Sequence, residues 1–87
     1  MDECATAAIR RFPDRGGTIT ELMARNEGFR EMCIDFATAE AELLKWRAST
    51  DPRRGRRIEE YVVLVEELAQ EIATTLDKAA VIPFPKR

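Results

Sequence analysis

From Ile58 to Ala80, apolar side chains return every third or fourth position: Ile58, Tyr61, Val65, Leu68 and Ile72, with Val62, Ala69 and Leu76 beside them. This is the 3.6-residue period of a helix with one apolar stripe. Glu59, Glu60, Glu66, Glu67, Gln70, Glu71 and Asp77 fill the gaps and favour water. A second stripe precedes it, made of Phe29, Met32, Cys33, Phe36, Leu43 and Leu44, with Ala37 and Ala39 alongside. The pattern predicts one helix over Glu27 to Ala48 and another over Arg56 to Ala80. Ser49-Thr50-Asp51-Pro52 separates them, because Ser, Thr and Asp favour turns and the residue before proline is held out of the helical region. Gly55 is expected to delay the second helix until Arg56. A connection this short makes the two helices antiparallel neighbours.

Ahead of them the signals are weaker. Asp2 to Arg11 is Ala-rich, with Ala5, Ala8, Ile9 and Phe12 as a faint apolar side. A helix this short is marginal unless docked. Pro13 ends it, and Asp14-Arg15-Gly16-Gly17 reads as a turn or joint. Thr18 has Glu21 at capping-box spacing and opens a short helix over 18–25 with Ile19, Leu22 and Met23 as its contacts. Asn26 is a good N-cap for the helix that follows. The tail 81–87 contains Pro83 and Pro85 and is expected to be extended.

The fold class predicted is all-α: one domain over 1–87, an antiparallel helical hairpin with a short N-terminal helical segment. Its parts are an arm over 1–17, a short and then a long helix over 18–48, a turn over 49–55, a second long helix over 56–80 and a tail over 81–87. Both stripes are wider than one seam, so a lone hairpin leaves apolar surface wet. Pairing of two hairpins into a four-helix bundle would cover it; the short Ile19–Met23 segment capping an open end, in a compact monomer, is the alternative. The predicted association surface is Phe29, Phe36, Leu43, Tyr61, Val65, Leu68 and Ile72, and the predicted partner is a second copy. Glu40 falls within the seam and calls for a cation, from Lys45, Arg47 or a partner subunit, to fix register.

Composition narrows the chemistry. The 87 residues are 45% hydrophobic and 34% charged with a net charge of −2, so no global field favours nucleic acid or anionic lipid. No apolar run approaches the roughly 20 residues that span a bilayer. The acidic opening Met1-Asp2-Glu3-Cys4 is unlike a secretory signal, which makes a cytoplasmic location the expectation. There is no histidine, and Cys4 and Cys33 are the only cysteines. That is too few for a Cys/His zinc site, and both read as reduced thiols. No catalytic, cofactor-binding or metal-ligating residues are predicted. The many glutamates lie on the wet face, and Gly16-Gly17-Thr18 lacks the GK[ST] of a phosphate loop.

One charged cluster stands apart. Arg53, Arg54, Arg56 and Arg57 crowd the turn, and four positives at a helix start oppose its macrodipole. They are the candidate contacts for a polyanion. The plainer reading pairs them with Asp51, Glu59 and Glu60.

The order Phe12-Pro13-Asp14, Ile19 with Leu22, Asn26, Phe29, Asp35 and Glu67-Leu68-Ala69-Gln70-Glu71-Ile72 resembles the YdcH-like family of small bacterial two-helix proteins. The resemblance covers residues 12–76. It implies the two-helix architecture and no activity; Trp46, the arginine run and the tail depart from it. The sequence reading is therefore a non-enzymatic helical interaction module that associates through its stripes, with a polyanion-binding or regulatory adaptor using Arg53–Arg57 as the alternative.

Overall fold

The structure is a computed structural model that describes the backbone of residues 3–81 and the side chains of residues 4–79. Of the tail expected over 81–87, Val81 is instead the last residue of the second long helix, and 82–87 lie outside the described residues. The described chain is all-helical. Four α-helices follow one another: α1 (Glu3–Arg11), α2 (Gly16–Arg25), α3 (Glu27–Arg47) and α4 (Arg54–Val81), with a 3-10 turn, Pro13–Arg15, between the first two.

α3 and α4 pack along one another. Met32 near the start of α3 meets Thr75 near the end of α4, with the Thr75 hydroxyl donating to the Met32 sulfur at 3.6 Å. Trp46 at the end of α3 meets Arg57 at the start of α4, so the two helices run in opposite directions. Phe29, Cys33 and Phe36 of α3 and Ile72 and Leu76 of α4 form the fully buried centre, flanked by Ala39, Val65 and Ala69.

The break before α3 occurs where Asn26 predicts it. Its backbone is extended (φ −125°, ψ 105°), and its side-chain oxygen accepts from the Phe29 amide at 3.0 Å. That bond satisfies one of the orphan donors of a helix start.

Several boundaries differ from the sequence expectation. Gly16 and Gly17 are not a joint but the first turn of α2. Pro13 fixes φ and opens the 3-10 turn, in which the Arg15 amide donates to Phe12 O at 3.0 Å, and this turn runs straight into α2. Thr18 is thereby inside α2 and forms no cap. α4 likewise starts at Arg54, so Gly55 delays nothing. Leu44, placed in the stripe, is 66% exposed. It lies 100° per residue away from the Phe36–Leu43 line, on the flank where α1 is the only neighbour.

The arm forms the short helix its Ala-rich sequence allows, and it is docked. Residues 3–11 are a third packed helix whose Ala5, Ala7 and Ala8 are buried and belong to the core. Alanines let the α1 backbone come close to α3 without large side chains to interlock. α2 then sets Ile19, Leu22 and Met23 into the same core. One flank of the α3/α4 pair is covered within a single chain.

Candidate functional site

α1 is held in its place by charge as well as by its alanines. Arg10 reaches Glu40 on α3 at 3.8 Å. Arg11 makes a two-pronged contact with Glu66 on α4, at 3.0 and 3.2 Å. Arg15, in the turn that follows, pairs with Asp77 of α4. Within the chain, the cation that reaches Glu40 is Arg10 of α1 rather than Lys45 or Arg47.

Among the described residues, the opposite flank has no such cover. Around Phe36 and Val65, both buried, a step of +100° leads to Ala37 and Glu66 on the α1 side. A step of −100° leads to Asp35 and Leu64 on the other. There, Asp35, Thr38, Ala39 and Glu42 of α3 and Tyr61, Leu64 and Leu68 of α4 line a groove section of about 310 Å³. Tyr61 and Leu64 continue into a section of about 180 Å³ with Arg57 and Glu60. Glu42 continues into one of about 370 Å³ with Lys45, Trp46, Ser49 and Asp51. One turn beyond Leu68, Met32, Glu71 and Thr75 border a further hollow. Its floor is apolar, and Leu64 is 39% exposed on it.

The predicted association residues divide between interior and surface. Phe29, Phe36, Val65 and Ile72 are buried within the single chain. Leu43, Tyr61 and Leu68 are half-buried against the core. Leu64 is absent from the predicted stripe, because it falls one helical step outside it. The signal available was the run of apolar residues from Tyr61 to Val65, which no one-sided stripe requires.

The arginine turn is built as a closed network. The Asp51 amide donates to Ser49 Oγ at 2.9 Å. Asp51 Oδ1 accepts from the Arg53 amide at 2.8 Å and from Arg53 Nε at 3.1 Å, and Oδ2 accepts from Arg53 Nη2 at 2.9 Å. These hydrogen bonds from the Arg53 side chain, then its amide, lower the Asp51 pKa from 3.8 to about 2. Arg53 is raised in turn by the same partner. Arg54 donates to the carbonyl of Arg47, the last residue of α3, at 2.7 Å, which satisfies an orphan acceptor of that helix end. Arg57 pairs with Glu60 at 3.0 Å. The guanidiniums of Arg53 and Arg57 lie 6.0 and 5.9 Å from the Trp46 ring centroid, within cation–π range. Arg56 is exposed and makes no ion pair among the described residues. The four arginines are therefore brought together, but three of them are engaged in closing the turn.

Cys33 is buried in the core and Cys4 half-buried at its edge. Among the described residues, no group of three His, Cys, Asp or Glu side chains is placed to hold a metal ion. No described helix is long and apolar enough to cross a membrane. No protein-family model, curated protein or solved structure matches the chain.

Proposed function

We propose that this chain is a non-enzymatic helical interaction module whose docking face is the groove of α3 and α4 on the flank away from α1. The observation that carries it is the apolar groove of Tyr61, Leu64 and Leu68 over a buried Ala39, uncovered among the described residues, beside a flank that α1 and α2 close. An apolar groove between two helices is the usual seat of a further helix. Docking of a copy of the chain would build the four-helix bundle; docking of another protein's helix would complete the layer in the same way. The YdcH-like resemblance implies architecture alone and adds no chemistry to this reading.

The test combines two measurements on the full chain: light scattering across a dilution series, and titration with a panel of amphipathic helical peptides of differing flank charge. Trp46, the only tryptophan, borders the groove and reports by fluorescence. Binding of any peptide, or concentration-dependent dimerisation, that Leu64→Glu abolishes supports the module. A chain that stays monomeric and binds none of the panel overturns it.

The polyanion reading retains one supporting observation, an exposed Arg56 at a basic turn that makes no ion pair among the described residues. It requires nucleic-acid binding that falls steeply with salt and disappears when Arg53, Arg54, Arg56 and Arg57 are changed to Glu. Salt-independent or absent binding removes it.

A further inference from the structure

The groove's occupant is specified by the charge on its borders. We infer that the open groove of α3 and α4 accepts an amphipathic helix carrying Lys or Arg on both sides of its apolar stripe. This inference rests on the docking reading above.

The chain contains its own precedent. On the closed flank, α1 packs its narrow Ala face on α3, and its flanking arginines reach a carboxylate on each long helix: Glu40 on α3, Glu66 on α4. The open flank repeats that construction without an occupant. Its floor is Ala39, Tyr61, Leu64 and Leu68, and it carries carboxylates on both borders: Asp35 and Glu42 on α3, Glu60 and Glu71 on α4. Glu42 and Glu60 are engaged by Lys45 and Arg57 of their own helices. Asp35 and Glu71 have no ion-pair partner among the described residues. The unpaired charge left for an incoming helix is therefore negative on both sides.

The same borders disfavour two grooves pressed face to face in register, since like carboxylates would meet. From Asp35 to Trp46 the groove follows about 11 residues of α3, roughly 17 Å at ~1.5 Å per residue, which holds a helix of about three turns.

The experiment uses the full chain and two synthetic helical peptides of about 16 residues. They share one Ala/Leu stripe; one has Lys and Arg on its flanks, the other Glu. Affinity is read by Trp46 fluorescence and by amide shifts at Tyr61, Leu64 and Leu68. The expected result is at least tenfold tighter binding of the basic peptide at low salt. That preference should shrink as the Debye length falls from ~10 Å at 0.1 M to ~3 Å at 1 M. Leu64→Glu should abolish binding with helicity retained, because Leu64 is already 39% exposed. Leu44→Glu, on the α1 flank, should leave binding intact. The double variant Asp35→Asn, Glu71→Gln should lose most of the preference while still binding.

Equal binding of the two peptides, or a preference indifferent to salt, overturns the charge specification and leaves the docking face standing. Mass doubling with concentration that Leu64→Glu removes makes a second copy the occupant and overturns the inference as well. Failure of both peptides with a monomeric chain overturns the docking reading itself.

Discussion

At the scale of single residues, small polar groups decide where the helices begin. Asn26 closes α2 and opens α3 with one side-chain hydrogen bond. Asn26→Ala should cost about 1 kcal/mol, and Asn26→Asp much less. In a chain of this size that is roughly a 4–8 °C fall in Tm, measurable by thermal circular dichroism. Asp51 is the second such residue. Its pKa is lowered to about 2 in the folded state against 3.8, so its contribution to stability is fully present above about pH 4. It is lost as pH falls through about 2, because the unfolded chain takes up the proton first. Urea unfolding of the native chain and of Asp51→Asn between pH 2 and 6 should show a difference that narrows across that window. A difference constant over the whole range would mean the Asp51–Arg53 contact has no bearing on folding. Gly55 makes the opposite case. It sits in the first turn of α4 with helical neighbours, and a Cβ there would meet nothing within 4 Å. Gly55→Ala should therefore raise stability by about 0.5 kcal/mol, mainly by restricting the unfolded chain.

Among the elements, α1 is the one whose status changes most between sequence and structure. Nine residues of Ala-rich sequence are too short to hold helical form alone, and three alanines give little periodic signal. Docking supplies what propensity lacks: Ala8 is fully buried, and Arg10, Arg11 and Arg15 clamp the segment across α3 and α4. The ion pairs are surface-exposed and each contributes modestly, so the buried alanines carry the docking. Ala8→Glu should release α1, since a carboxylate there has no room and no partner. Hydrogen exchange should then show unprotected amides over 3–11 with protection kept in the centres of α3 and α4. Retained protection over 3–11 would show that the arginines alone suffice. Phe36 is the counterpart on α3, with no exposed surface. Phe36→Ala should cost about 3–5 kcal/mol, against a total expected for this length of about 4–13, and chemical denaturation should find the variant barely folded.

For the whole molecule, the controlling fact is that one flank of the α3/α4 pair is covered and the other open. The two stripes by themselves imply a shortage of cover, to be met by a second chain or, within a compact monomer, by the Ile19–Met23 segment. α1 and α2 meet much of it from within. Phe29, Phe36, Val65 and Ile72 are consequently core rather than contact surface. What remains for association is narrower and better defined, centred on Leu64 between acidic borders. Leu64→Glu should change Tm little while removing any docking, whereas Val65→Glu, one residue on but buried, should unfold the chain. Equal thermal losses in both variants, read by circular dichroism, would place Leu64 in the core.

Periodicity along the chain determined the helices and their faces: the 3.6-residue spacing named most of the buried positions of α3 and α4, and Asn26 marked the break between α2 and α3. These follow from local rules, because side-chain direction in a helix is set by position alone. What only the tertiary structure decided is which segments share those faces. Alanine carries too little hydrophobic signal to announce that α1 is core, and an ion pair between Arg11 and Glu66 joins residues that no local pattern connects. The open groove was hidden for the same reason. A stripe specifies that a face seeks cover, whereas the cover depends on which other helices reach it in space.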